Sequence, residues 1–188
     1  MRHRIFIAIN LPKGIKDKLL EYQSKWPEIP SRWTKPENLH FTLIFLGYLN
    51  DEELVNVCQI TKEVASKYKP FSIKLEKIIY GPSAGKPRMI WLEGEKSSEF
   101  TELQADLERA LLDSGKISFS PENRAFSPHI TLARIKEWEF RKIEPEEKPE
   151  INEEISLNFE VTSIEVMESQ LKKGGAEYAV LGSAPLRS

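Results

Sequence analysis

Residues 38–47 read NLHFTLIFLG and residues 126–134 read FSPHITLAR. Both contain a histidine followed two positions later by a threonine: His40 and Thr42 in the first stretch, His129 and Thr131 in the second. The chain has only three histidines in 188 residues, so two of them fall in matching frames. In an extended strand the side chains at i and i+2 share a face. His40 and Thr42 are therefore expected on one side of a strand, with Phe41 and Leu43 on the other. The same rule pairs His129 with Thr131 and sets Ile130 and Leu132 opposite. Each tetrapeptide offers an imidazole and a hydroxyl on one face and anchors itself in a core with the other.

The flanking sequence repeats its order of elements around the two tetrapeptides. In the first half, RIFIAI (4–9) alternates Ile5, Ile7 and Ile9 as a strand. A helical spacing of Ile15, Leu19, Leu20 and Tyr22 follows over 12–26, ended by Pro27 and Pro30. Residues 38–47 then form a strand stopped by Gly47, residues 50–68 a helix capped by Asn50 or Asp51, and residues 71–80 a further strand. The second half predicts a strand over 88–94, a helix over 97–115 opened by serine and closed by Gly115, and a strand over 129–135. One long alternating strand over 155–169 and another over 177–186 complete it. The Glu- and Pro-rich stretch 137–154 reads as a solvated surface excursion. The two tetrapeptides thus occupy equivalent places in two copies of one lobe, and packing the copies together would bring their strands face to face.

Composition narrows the function. A 40% hydrophobic and 10% aromatic chain of this length supports a folded protein with one sizeable core or two small lobes. No apolar run is long enough to cross a bilayer, and the N-terminal apolar stretch is too short for a signal peptide, so a cytoplasmic protein is expected. A lone cysteine, Cys58, excludes an intrachain disulfide and fits an ordinary buried thiol. A net charge of −2 gives no global attraction to polyanions, so any nucleic-acid contact must be local. GPSAGKP (81–87) fails as a phosphate loop, because three residues separate its glycines and Pro87 follows Lys86; it is expected as a turn between the lobes.

Two imidazoles flanking a cleft suit phosphodiester chemistry. A neutral ring takes a proton from water while a protonated ring gives one to the departing oxygen. The hydroxyls of Thr42 and Thr131 can donate to nonbridging phosphate oxygens. A metal site is the weaker reading, since neither tetrapeptide holds a carboxylate or a further imidazole at ligand spacing. His3, at the N-terminal edge, reads as a structural residue.

Four blocks in order, RIFIAINLP (4–12), NLHFTLIFLG (38–47), FSPHITLAR (126–134) and SQLKKGGAEYAVL (169–181), carry a resemblance. The chain resembles the two-histidine phosphoesterase superfamily and, within it, the RNA 2′,3′-cyclic phosphodiesterases, formerly called 2′-5′ RNA ligases. The resemblance implies a single bilobal α+β domain over 1–188, a pseudo-twofold duplicated fold whose two antiparallel sheets line a central cleft with helices outside. It implies metal-independent hydrolysis of RNA 2′,3′-cyclic phosphate ends to 2′-phosphates, with 2′-5′ joining as the reverse, no cofactor, and a monomer acting on RNA ends or small cyclic nucleotides. His40 would be the general acid, His129 the general base, and Arg134 a phosphate contact. Strand alternation opposes this placing of Arg134, since five residues from His129 it should project with Ile130 and Leu132 unless a bulge turns it round. Arg124 and Lys172 are further candidates for RNA contact, and Trp33, Phe45 and Tyr178 for base stacking, against the commoner reading of such aromatics as core. The alternative function is a non-catalytic nucleotide- or RNA-binding module with the same cleft.

Overall fold

A computed structural model describes residues 2–123, 125–173 and 175–187. One half of its sheet is built on β1 (His3–Asn10), where Ile5, Ile7 and Ile9 enter the main core from one face while Phe6 and Ala8 join Met167 in a small cluster on the other. On one flank β1 pairs with β3 (His40–Leu49), and on the other with β8 (Ser163–Lys172), which pairs in turn with β9 (Gly175–Pro185). The other half of the sheet runs β6 (His129–Ile135), β5 (Met89–Gly94), β4 (Phe71–Gly81) and β7 (Asn152–Val161). A short strand, β2 (Ser31–Trp33), pairs with the far end of β6.

All pairings are antiparallel, and the mixed helix-and-sheet class agrees with the sequence. The two halves meet edge to edge rather than face to face. β3 and β6 join through Phe41 opposite Ile130, the one paired position between them among the described residues. Each half is completed by strands from the other half of the chain, because β4 crosses to β5 and β8 returns to β1.

Two long helices close the core side. α2 (Asp51–Ala65) starts at a reciprocal capping box, Asn50 accepting from Glu53 N and Glu53 accepting from Asn50 N, each at 2.9 Å. Its buried Val57, Thr61, Val64 and Ala65 follow helical spacing. α3 (Ser98–Asp113), capped by Ser97, buries Phe100, Leu103, Leu107 and Leu111. The first helix is shorter than its apolar spacing predicts: Lys13–Leu20 is α-helical, and Glu21–Ser24 continues as a 3₁₀ turn.

Other elements depart from the sequence reading for identifiable reasons. β3 does not stop at Gly47 but passes through it at φ +78 to Leu49, with Leu46 left unpaired opposite β1. The stretch 155–169 is not one strand: it divides at Thr162, β7 pairing with β4 and β8 with β1 at opposite sides of the sheet. GPSAGKP joins β4 to β5 within one half and is not a turn between lobes. Residues 137–154 are not wholly solvated, since Phe140, on a one-turn helix (Glu137–Phe140), and Ile151 are buried. Cys58 is half buried rather than enclosed. Among the described residues no helix is long and apolar enough to cross a membrane.

Candidate functional site

The joint between the halves organises the site. With Phe41 opposite Ile130, antiparallel register sets His40 across from Thr131 and Thr42 across from His129. Phe41 and Ile130 are fully buried, so the four polar side chains share the opposite face. All four line one cavity of about 790 Å³. The structure therefore brings His40, His129, Thr42 and Thr131 together.

Each imidazole is held by a carbonyl two residues earlier. His40 Nδ1 lies 2.7 Å from Asn38 O, and His129 Nδ1 lies 2.7 Å from Ser127 O. A carbonyl can only accept, so Nδ1 donates in both rings. A neutral ring in this frame presents the Nε2 lone pair, and a protonated ring presents Nε2–H. The same scaffold thus suits either a proton acceptor or a proton donor.

The surroundings of the two rings differ. His40 packs against Phe6, with centroids 5.0 Å apart, and meets Tyr178 edge-on at 5.1 Å. Its Nε2 is 3.1 Å from Thr42 Oγ1. Burial pushes the His40 imidazole down to about 4, the Asn38 carbonyl opposes this, and positive charge on Lys16 and His129 adds to it. His129 instead lies flat on Trp91, with centroids 3.8 Å apart.

A bulge resolves the placing of Arg134. Ile90 pairs with Ala133 and Trp91 with Thr131, so Leu132 has no partner on β5. Leu132 and Ala133 are both buried, the alternation shifts by one, and Arg134 returns to the cavity wall. The same event occurs in β3, where Leu43 is the unpaired residue and Phe45 takes the matching position, 53% exposed and lining the cavity.

Several donors converge on one weak acceptor. Met89 Sδ lies 3.4 Å from Trp91 Nε1, 3.8 Å from Thr131 Oγ1 and 3.7 Å from Arg134 Nη1. A thioether satisfies such groups poorly, so an oxyanion entering the cavity would find them available.

Of the other candidates, Tyr178 does stand in the cavity, beside His40, whereas Trp33 packs against the core. Lys172 is engaged by Glu177 at 2.6 Å. Arg124 lies outside the described residues. Sequence reasoning missed Phe6, Met89 and Trp91. Phe6 lies on the face of its strand away from Ile5, Ile7 and Ile9, and what brings Trp91 beside Thr131 is the register of β5 on β6, which one strand's alternation does not reveal. Among the described residues no group of three or more His, Cys, Asp or Glu side chains could hold a metal ion.

The LigT-like phosphoesterase family model matches the chain twice, over residues 9–91 and 92–178. An RNA 2′,3′-cyclic phosphodiesterase of Methanothermobacter thermautotrophicus is 30% identical over 92% of this chain and 90% of its own. Its counterpart in Bacillus subtilis is 32% identical over 87% of each. A crystal structure from Thermus thermophilus superposes with a TM-score of 0.84 at 30% identity over 98% of both chains. Escherichia coli LigT in complex with 3′-AMP does so with a TM-score of 0.79 at 25% identity over the full length of both. The paired His-x-Thr strands, the shared cavity and these matches over nearly the whole sequence place the chain in the LigT-like phosphoesterase family.

Proposed function

We propose that the protein hydrolyses the 2′,3′-cyclic phosphate at the 3′ end of RNA, leaving a 2′-phosphate, by histidine acid/base catalysis without a metal ion. One observation carries the reading: both imidazoles, each with Nδ1 tied to a carbonyl, share a cavity with two threonine hydroxyls. In the proposed step water attacks phosphorus and gives its proton to His129 Nε2. The bond from phosphorus to the ribose 3′ oxygen breaks, and that oxygen takes the proton of His40 Nε2. Thr42, Thr131 and Arg134 stabilise the charge on the nonbridging oxygens. A ring held near 4 is neutral at pH 7, so His40 gains its proton when the phosphate anion enters beside it. A 5′-hydroxyl in place of the attacking water would open the ring in the same way to a 2′-5′ linkage, giving its proton to His129 while the ribose 3′ oxygen takes the proton of His40.

The test is an oligoribonucleotide with a 2′,3′-cyclic phosphate end, incubated with the protein and excess chelator, with the product end identified. The expected product is the 2′-phosphate, and His40→Ala or His129→Ala should slow its formation by about 100-fold or more. Tight binding without turnover by the unaltered protein would reduce it to a binding module, and loss of activity with chelator would mean metal-dependent chemistry.

A further inference from the structure

The cavity carries more positive charge than one phosphate requires, and three of its four arginines stand at one end. Thr131 lies across from His40, so following β6 past Thr131 leads from the His40 end of the joint to Arg134. Arg134 is directly opposite Arg32 on β2, and on its other side opposite Met89, which Arg88 immediately precedes. Arg32, Arg88 and Arg134 all line the cavity. Like charges directly opposite one another on paired strands destabilise a sheet. Among the described residues neither Arg32 nor Arg134 meets a carboxylate, and Arg88 reaches only Glu137, at 3.7 Å. The matching end of the other half offers Phe45 and, from β1, the single arginine Arg4, so the cluster of three is not a by-product of the repeated strand pattern. In a protein of net charge −2 this is a local cation cluster that the described carboxylates do not balance.

We infer that Arg32 and Arg88, standing on either side of Arg134, form a second anion subsite, for a phosphate attached to the 5′ oxygen of the ribose that bears the cyclic phosphate. The inference rests on the proposed hydrolysis, which sets that ribose at His40 because His40 protonates its oxygen. The next phosphate of the chain then leaves the ribose toward the end of the cavity where β2 and β6 carry their arginines. Guanidinium groups suit it, since each presents paired donors to two phosphate oxygens. The subsite makes the preferred substrate a polynucleotide end or a 5′-phosphorylated cyclic nucleotide rather than a bare nucleoside cyclic phosphate.

The experiment compares kcat/KM for four substrates: a nucleoside 2′,3′-cyclic phosphate, the same with a 5′-phosphate, a dinucleotide with a cyclic end, and that dinucleotide with a neutral methylphosphonate linkage. The unaltered protein should favour the 5′-phosphate and the charged dinucleotide by about 10-fold or more over the bare nucleoside, and the methylphosphonate should lose the gain. A double variant, Arg32→Gln with Arg88→Gln, should erase the preference while turning over the bare nucleoside cyclic phosphate at the original rate. A gain confined to either charged substrate tells a free nucleotide from an RNA chain as its source. Equal rates on charged and neutral substrates, or equal slowing of all four by the double variant, would overturn the subsite and leave the hydrolase reading standing. Absence of turnover on all four would overturn both.

Discussion

The Trp91 indole lies flat against the His129 imidazole, with ring centroids 3.8 Å apart and planes 20° from parallel. The contact fixes the tilt of a ring that the Ser127 carbonyl holds at its other edge, through Nδ1. Trp91 is itself pinned by Met89 Sδ, 3.4 Å from its Nε1. Replacing it should therefore loosen His129 without touching the backbone that carries it.

Trp91→Leu is expected to lower kcat by about 10- to 100-fold, with a smaller change in KM, because misplacing a reacting group costs rate more than binding. Trp91→Phe keeps a flat face and should lose less. Steady-state kinetics on a cyclic-phosphate oligonucleotide check this, and an unchanged kcat in Trp91→Leu would show that stacking does not position His129.

The depressed His40 ring has a consequence for stability. Its folded value of about 4 lies below the unfolded value of 6.5, so between them the unfolded chain binds the proton and the native state does not. The contribution is fully present above about pH 6.5 and is lost as pH falls through 4. It amounts to at most about 3 kcal/mol. Urea titrations from pH 7.5 to 4 should show a shallower loss in His40→Asn than in the unaltered protein. Equal slopes would mean that the ring is not buried as described.

His3 works in the opposite window. It bridges Glu168 at 2.7 Å and Asp51 at 2.9 Å, tying β1 to β8 and to the start of α2. The hydrogen bond with Glu168, then that with Asp51, raise its pKa. A raised value means stability that is present below the unfolded pKa and lost as pH rises through the folded one. His3→Gln should therefore lower the melting temperature at pH 6 and lose that effect by pH 9, as a differential scan at both values would show.

Much of this site is legible in the chain because it depends on short-range geometry. Two residues per strand repeat suffice to put His40 beside Thr42 and His129 beside Thr131, and helix caps such as Asn50 with Glu53 are local. The rest depends on pairing between distant strands. Nothing in HITLARI alone reveals that Leu132 bulges out opposite Ile90 and Trp91 and so turns Arg134 into the cavity. Likewise SRW, at residues 31–33, is too short to read as a strand, yet its pairing with β6 sets Arg32 opposite Arg134. The edge-to-edge joint is invisible for the same reason: Phe41 and Ile130 look like any two core residues until the sheet order is known.

That joint is the point at which packing and chemistry are most directly linked. A Cβ added at Gly94 would lie 2.7 Å from Phe41 Cζ and 2.9 Å from Cε1. Phe41 has little room to move, being fully buried with its ring edge-on to Phe100 at 5.4 Å. Gly94→Ala should thus push Phe41 off Ile130, at a cost of about 1–3 kcal/mol from overpacking. His40 and His129 each neighbour a member of that pair, so the same shift should separate the imidazoles and lower kcat. Phe41→Leu in the Gly94→Ala background removes the clashing ring edge and should restore part of both losses, a positive coupling that a double-mutant cycle measures. Strictly additive losses in melting temperature and in kcat would show that Gly94 and Phe41 act independently and that the joint does not set the spacing of the two histidines.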